Sequence, residues 1–337
     1  MLKVYTGKPL FDQPHIEALY PNWGRRSSTR WSDQAFKCLT EPVVEVVSDP
    51  TLADYLLLPH NWNLVKNNKD YLADWENLIK SSGKKIIVFN PGDDGEPVKL
   101  KNAIIFRHSQ YQSSLLSNEI IMPGYVEDLG VSGVTVQTKR PKPIIGFCGW
   151  AKSASWWQNL KTIIKAEITY PLYKRQGLFW RKRILGFLKQ SNLIDTNLII
   201  RGSYSGNEKT IELDPKLARE EYINNVTNSD FTLCVRGDGN FSTRFYEVLS
   251  LGRLPLFIDT DCVLPLEDKI NYDEIMVRVN YLDLKQVDQI ISQAYQSWSE
   301  AEYAIRQQKA REIFEQYLRL DKFLTLTLTK EFLRQYA

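Results

Sequence analysis

Cysteine, histidine and long apolar runs are scarce in this 337-residue chain. The four cysteines lack the spacing of a zinc or redox motif, which favours reduced thiols over a disulfide framework. The three histidines also lack the spacing of metal ligands. No apolar segment approaches the roughly 18 residues that a membrane-spanning helix requires. We therefore expect no metal site, no cofactor and no transmembrane segment.

A surplus of charge of one sign is missing as well. The chain has 43 Lys and Arg against 40 Asp and Glu, for a net charge of +3. This balance argues against nucleic acid or an anionic membrane as an electrostatic partner. The first residues read as a strand, not as a charged segment followed by an apolar one, so no secretion signal is indicated. A cytoplasmic location is the expectation.

Short apolar runs alternate with helical patterns, which is typical of an α/β protein. In the first part we predict strands at 3–5, 55–58, 85–89 and 103–106, and a helix over about 70–80 that ends at Gly83. In the second part we predict strands at 144–148 and 197–200 and helices near 179–190 and 215–228. The polar segment 124–143, which carries Gly130, Gly133, Pro141 and Pro143, is the predicted interdomain linker.

Residues 231–267 carry most of the functional information. The pattern predicts a strand at 231–235, a polar turn at 236–240, a helix over about 242–251 that ends before Gly252, and a strand at 254–258. In such a βαβ unit the helix N-terminus lies at the carboxyl end of the sheet. Its free N–H groups make it a natural seat for phosphate.

Arg244 and Glu247 lie in this helix three positions apart, and therefore on one face. A guanidinium suits a diphosphate, and a carboxylate suits the diol of a ribose. Arg236 adds a second cation at the same end of the helix. The alternative is an ordinary solvent-exposed ion pair, since charges at this spacing are common on helix surfaces.

At these residues the chain resembles the exostosin family of glycosyltransferases. The matching positions are Cys234, Arg236, Gly237, Asp238, Ser242, Arg244, Glu247, Gly252, Pro255, Asp259, Leu264, Pro265 and Glu267. The resemblance implies a GT-B fold, in which two Rossmann-like domains face a central cleft. It also implies an inverting transferase that needs no metal and takes its sugar from a nucleotide sugar, usually a UDP-sugar. The partners would be that donor and a glycan or glycolipid acceptor.

The resemblance divides the chain into three segments. Residues 1–140 would form the acceptor-side domain, and residues 141–318 would bind the nucleotide sugar. Residues 319–337 would form a helix that packs back on the first domain. The implied donor-binding residues are Arg236, Gly237, Asp238, Ser242, Arg244 and Glu247.

An inverting transfer needs a base that removes the proton of the acceptor hydroxyl. Asp94 and its neighbour Asp93 closely follow the predicted strand 85–89 and would face the cleft from the first domain. The alternative is a turn whose Asp and Gly residues satisfy backbone geometry alone. His60 and Asp128 are the reserve candidates for the base.

Other interpretations remain open. Asp259-Thr260-Asp261 has the form of a metal-binding Asp-x-Asp motif, which would indicate a metal-dependent GT-A transferase. The chain could also be a catalytically inactive subunit that binds a nucleotide sugar and supports a partner transferase. A third alternative is a fucosyltransferase-like GT-B enzyme that uses a GDP-sugar.

Aromatic and basic side chains also follow the strand at 144–148. Trp150, Trp156 and Trp157 would stack on a sugar or pack in the core. The basic run is Lys174, Arg175, Arg181, Lys182 and Arg183. It would meet an anionic acceptor or lipid carrier, or form the solvated end of a helix.

Overall fold

The computed structural model describes residues 1–20, 23, 34–152, 174, 176–203 and 213–336. The chain forms two compact units. The first comprises Met1–Glu127, Val263–Leu266 and Gln316–Ala337, and the second comprises Asp128–Cys262 and Glu267–Glu315. Each unit contains a parallel sheet flanked by helices. The predicted α/β class with two Rossmann-like units is confirmed, whereas the central cleft stays a prediction.

The sheet of the first unit has the strand order β2-β1-β3-β4-β5-β6. The strands are β1 (Leu2–Tyr5), β2 (Val44–Val46), β3 (Tyr55–Leu57), β4 (Ile86–Asn90), β5 (Ala103–Arg107) and β6 (Glu119–Ile121). All neighbouring strands run parallel. Every residue of β4 and β5 is buried, as expected for strands covered on both faces.

Two helices follow β3 in this unit, α1 (Trp62–Val65) and α2 (Lys69–Ser82). Trp75 and Ile79 of α2 pack in the core with apolar residues of β3, β4 and β5. Trp62 belongs to the same core and is 5% exposed. It therefore has the ordinary structural role of a buried tryptophan.

The sheet of the second unit has the order β11-β10-β9-β7-β8, again with parallel neighbours. Its strands are β7 (Ile144–Trp150), β8 (Asp195–Arg201), β9 (Phe231–Cys234), β10 (Leu254–Asp259) and β11 (Val277–Asn280). The chain runs from β7 to β8 on one side and returns to β9 on the other. The strand order thus reverses between β7 and β9, and open α/β sheets bind their ligands at such a switch point.

Among the described residues of the second unit, the α-helices are α3 (Gly177–Gln190), α4 (Pro215–Thr227), α5 (Thr243–Ser250), α6 (Val287–Ser297) and α7 (Glu300–Ile313). Helix α3 packs against α6, and α5 packs against α7. Each predicted strand and helix up to residue 259 is confirmed with ends within two residues of those observed. Among the described residues, no helix is long and apolar enough to span a membrane.

A π-helical turn at Phe314–Leu318 follows α7. The chain then forms α8 (Leu320–Thr327) and α9 (Lys330–Leu333), which belong to the first unit. Phe323 packs edge-on against Phe106 of β5, with 6.4 Å between ring centroids. Lys330 forms an ion pair with Asp54 at 2.6 Å.

A buried carboxylate holds together the amino-terminal end of the second sheet. Asp230 directly precedes β9 and is 0% exposed. Its carboxylate accepts hydrogen bonds from the Ile144 backbone N–H at 2.8 Å, the Tyr303 hydroxyl at 2.8 Å and the Tyr295 hydroxyl at 3.3 Å. Arg140 pairs with it at 3.0 Å. The network therefore joins β7, β9, α6 and α7 through one side chain.

Candidate functional site

Strands β7 and β9 diverge before β7 ends. Their ladder stops at the pair Gly146 and Thr232, whereas the ladder between β7 and β8 continues to Trp150 and Arg201. The edge of β7 that faces β9 therefore has backbone carbonyls beyond Gly146 that β9 does not engage. We call this opening, bounded by Cys148, Trp150 and Arg236, the switch-point crevice.

Arg244 fills one part of the switch-point crevice. It lies in the first turn of α5, and its Nη2 donates to the Cys148 carbonyl at 3.0 Å. The guanidinium lies over the Phe147 ring, 4.6 Å from the centroid. Its buried Nε finds no hydrogen-bond partner among the described residues. Ser242, at the N-cap, makes no side-chain hydrogen bond to the helix, so the first N–H groups of α5 lack a side-chain cap.

Gly149 provides the space that this guanidinium occupies. Its φ is +154°, a conformation that side-chain-bearing residues rarely adopt. A Cβ built on Gly149 would lie only 2.7 Å from Nη2 of Arg244. A side chain here would therefore displace the guanidinium, because the flexible Arg244 side chain can move more easily than the backbone.

Hydrogen bonds to its own backbone carbonyls hold the turn after β9. Arg236 is 5% exposed, and its Nη2 donates to the Asp238 carbonyl at 2.9 Å. Gly237 donates to the Phe241 carbonyl and accepts from the Gly177 N–H, both at 3.0 Å. Asp238 is exposed. Two predicted donor-binding residues, Arg236 and Gly237, thus shape the loop that leads into α5.

Helix α3 begins directly against this turn. A Cβ on Gly177 would lie 2.1 Å from the Arg236 carbonyl oxygen, so only glycine allows this approach. One turn later, Arg181 donates through Nη1 to the Trp150 carbonyl at 3.3 Å and through Nη2 to the Arg236 carbonyl at 3.4 Å. It therefore spans the switch-point crevice from β7 to the turn after β9. The sequence places Arg181 in a basic run, but it does not predict this position.

The Glu247 side chain contacts α4, whereas the Arg244 side chain contacts β7. Its Oε1 accepts from Nη1 of Arg219 on α4 at 2.7 Å, and the two side chains are only 12% and 18% exposed. Burial, and then the Glu247 charge, raises the pKa of the neighbouring Tyr222 hydroxyl well above its usual value. The Glu247 carboxylate is therefore held in a partly buried pair, and the sequence does not predict Arg219 as its partner.

Both aspartates of the Asp-x-Asp sequence make structural contacts, Asp259 through its carboxylate and Asp261 through its backbone carbonyl. Asp259 accepts from the Cys262 N–H at 2.9 Å and pairs with Arg278 at 3.2 Å. Asp261 has φ +64° and accepts from the Asn240 side chain through its carbonyl at 2.9 Å. These contacts tie the loop after β10 to the loop after β9. In the part of the chain that the structure describes, no cluster of three or more His, Cys, Asp or Glu residues is arranged to hold a metal ion.

In the first unit, Asp94 lies in the loop that follows β4. Its Oδ1 accepts from the Glu96 N–H at 3.3 Å, and its Oδ2 lies 3.8 Å from Nζ of Lys66. Asp93 is exposed. Asp94 thus makes the local turn contact that the structural interpretation predicts, while its carboxylate stays about one-third exposed, at 35%.

A buried ion pair fixes this loop to the sheet. The Arg107 guanidinium pairs with Glu119, and both side chains are 0% exposed. Arg107 also donates to the carbonyls of Asp94 at 2.9 Å and Glu96 at 3.3 Å. Glu119 accepts further bonds from the Gln110 side chain and a backbone N–H. Strands β5 and β6 therefore position the loop that carries Asp94.

The reserve candidates for the base are already engaged. Nε2 of His60 accepts from the Leu10 N–H at 2.8 Å, so the proton lies on Nδ1, which donates to the Pro14 carbonyl at 2.8 Å. Asp128 accepts from Nη2 of Arg311 at 3.1 Å. Both side chains therefore serve local structure in this conformation.

Two buried titratable groups in the first unit are not singled out by the sequence. Burial raises the pKa of Glu17 to about 8, and Glu17 accepts a hydrogen bond from the Tyr125 hydroxyl. Burial lowers the pKa of His108 to about 4, and its ring packs edge-on against Tyr125. Both groups are therefore mainly neutral near pH 7.

The aromatic and basic residues after β7 are described in part. Trp150 is half-buried, and its indole N–H donates to the Lys152 carbonyl at 2.7 Å. Trp156, Trp157 and Arg175 lie outside the described residues. A stacking role for these tryptophans stays a prediction.

The match to a known protein family lies mainly in the second unit. The Exostosin GT47 domain model matches residues 181–294, which include Arg181, Arg236, Arg244 and Glu247. A probable glucuronosyltransferase of Oryza sativa subsp. japonica is 37% identical over 71 residues, which cover 21% of this chain and 16% of that protein. A second one from the same organism is 34% identical over 73 residues, covering 22% and 18%.

The chain thus spans less than a fifth of the length of these curated relatives. Among solved structures, a glycosyltransferase from Rickettsia africae ESF-5 is 13% identical, with a TM-score of 0.37, and the match covers 99% of this chain and 98% of that one. Residues 181–294 are thus similar to the Exostosin GT47 domain, and the rest of the chain lies outside this match.

Proposed function

We propose that this chain is an inverting, metal-independent glycosyltransferase that transfers a sugar from a nucleotide sugar to a hydroxyl of a glycan or glycolipid. A UDP-sugar is the proposed donor. The observation that carries this proposal is the Arg244 guanidinium at the uncapped N-terminus of α5, at the switch point of a parallel sheet. Cations and backbone N–H groups at such a position stabilise a leaving diphosphate.

We propose separate tasks for the donor-site residues. Arg244 would bind the diphosphate, and Glu247 would accept from the ribose hydroxyls. The pair with Arg219 keeps the Glu247 carboxylate in place, as a positioned acceptor requires. Because Asp259 is occupied by Arg278 and the Cys262 N–H, the cationic side chains, not an Asp-x-Asp metal site, would carry the diphosphate charge.

Binding of nucleotides tests this donor site. We expect UDP to raise the melting temperature more than GDP or CMP, because a ligand at 100 times its Kd stabilises the folded protein by about 2.7 kcal/mol. Glu247→Ala should lower UDP affinity by about tenfold, since a hydrogen bond to a charged group contributes about 1.5–3 kcal/mol. A thermal-shift assay measures the change in melting temperature, and titration calorimetry measures the UDP affinity. Turnover of UDP-sugars should persist in EDTA.

Glu221→Ala is the matched control, because Glu221 also pairs with an arginine of this unit, at 2.9 Å from Arg201. It should leave UDP affinity unchanged. Equal affinity in wild type and a folded Glu247→Ala variant would remove the ribose role.

Preference for GDP would support the GDP-sugar alternative. UDP binding without turnover would support the inactive subunit, and loss of turnover in EDTA would contradict the metal-free mechanism.

Gly149→Ala should weaken UDP binding by moving Arg244. The added methyl group would displace the Arg244 guanidinium, because a Cβ at this position would lie 2.7 Å from its Nη2. We expect UDP affinity to fall about tenfold, as for loss of a charge-assisted hydrogen bond. Calorimetry of the variant gives this value.

Gly186→Ala is the control for the added methyl group. A Cβ on Gly186 meets no atom within 4 Å, and the residue is exposed on α3. This variant should bind UDP like the wild type. If Gly149→Ala also binds UDP normally while remaining folded, Arg244 does not need this space to hold the donor.

A further inference from the structure

The switch-point crevice holds two guanidinium groups along one strand edge. Arg244 engages the Cys148 carbonyl, and Arg181 engages the Trp150 carbonyl. Residues two apart in a strand have backbone groups on the same side, about 7 Å apart. The two cations therefore lie in sequence along β7, beyond the point where β9 leaves it.

Arg181 makes two long hydrogen bonds to backbone carbonyls. At 3.3 and 3.4 Å, both exceed the roughly 2.9–3.0 Å typical of an N–H···O bond. A phosphate oxygen accepts shorter and stronger, charge-assisted bonds from a guanidinium. Exchange of these carbonyl contacts for phosphate contacts would therefore favour the bound state.

The rest of helix α3 shows that this position is particular to Arg181. Arg183, two residues later, is on another side of the helix, is exposed and lies over the Phe187 ring at 5.9 Å. Arg183 thus fits a solvated helix surface, whereas Arg181 is half-buried between β7 and the turn after β9. These two arginines of the basic run therefore lie in different environments.

We propose that Arg181 is a second cationic ligand of the donor diphosphate, so that Arg181 and Arg244 together bind its two phosphoryl groups. This inference rests on the proposed donor site. It assigns to α3 a role in binding the leaving group, in addition to the contribution of α5.

Arg181→Gln tests the role, with Arg183→Gln as the control on the same helix. UDP affinity is measured by titration calorimetry, and uridine binding by saturation-transfer NMR. We expect Arg181→Gln to lower UDP affinity about tenfold, in line with one charge-assisted bond, and to leave uridine binding unchanged. Arg183→Gln should bind UDP like the wild type. Arg181→Lys keeps the charge and should retain more affinity than Arg181→Gln.

The outcomes separate this inference from the proposed function. If wild type and Arg244→Gln bind UDP differently but Arg181→Gln matches the wild type, Arg181 is not a diphosphate ligand and the donor site still stands. If the wild type binds none of UDP, GDP and CMP, both proposals fall. Equal losses of UDP and uridine affinity in Arg181→Gln would indicate a structural role and overturn the inference. If Arg181→Gln does not fold, Arg181→Lys decides. A partial loss of UDP affinity with normal uridine binding supports the role, because a lysine cannot reproduce the forked donors of a guanidinium. Unchanged UDP binding, or an equal loss of UDP and uridine affinity, contradicts it.

Discussion

Replacing Asp230 with alanine should lower the free energy of unfolding of the second unit by about 3–5 kcal/mol, the range for breaking a buried charged network. The variant leaves the Tyr303 hydroxyl, the Tyr295 hydroxyl and the Ile144 N–H without their acceptor. Each unsatisfied buried donor costs about 1–3 kcal/mol. Urea denaturation, followed by tryptophan fluorescence and circular dichroism, measures the loss.

Tyr303→Phe is the graded control. It removes one hydroxyl, which donates to Asp230 at 2.8 Å, and keeps the aromatic ring in the core. We expect a loss of about 1.5–3 kcal/mol, as for one hydrogen bond to a charged group. A loss for Asp230→Ala no larger than that for Tyr303→Phe would show that the network does not act as a unit.

Replacing Asp94 with asparagine should lower kcat by about 10²- to 10⁴-fold, the contribution of a positioned general base. Asparagine keeps the shape of the side chain and can still accept from the Glu96 N–H, which lies 3.3 Å from Oδ1. The loop should therefore keep its conformation, and the affinity for UDP should not change. Steady-state kinetics and calorimetry on the same preparation separate the two quantities.

Asp93→Asn is the matched variant in the same loop, because Asp93 is the neighbouring carboxylate and the second candidate for the base. The variant with the lower kcat identifies the base. If both variants keep a near-normal kcat, the loop is only a turn. His60 would then be a poor replacement, since backbone groups engage both of its ring nitrogens, and the inactive-subunit interpretation would gain support.

The regular elements could be predicted where an apolar run marked them. Such runs identify β4, β7 and β10, and also the three-residue β3, which is wholly apolar. They do not identify β2 or β6, which have three residues each and include Glu45 and Glu119. Edge strand β11 alternates Val277-Arg278-Val279, which gives too short a signal to separate from a loop.

The site could be predicted only where its residues share one element. Arg244 and its helix follow from the local pattern of residues 231–259. The partner of Glu247 does not, because Arg219 lies 28 positions away in α4. The position of Arg181 likewise depends on how α3 packs against the turn after β9. The requirement for glycine at position 149 comes from its φ of +154° and from its contact with Arg244, and neither can be read from the local sequence.

The path of the chain also sets the order in which the two units can be completed during synthesis. The first unit needs α8 and α9, since Phe323 packs on Phe106 and Lys330 pairs with Asp54. Apart from residues 263–266, the second unit is one segment, 128–315, and the ribosome makes it before α8. Domains usually fold from the N-terminus onward as they emerge. Here the sheet of the first unit is synthesised before α8 and α9, which pack on it. The unit whose synthesis begins first is therefore completed second.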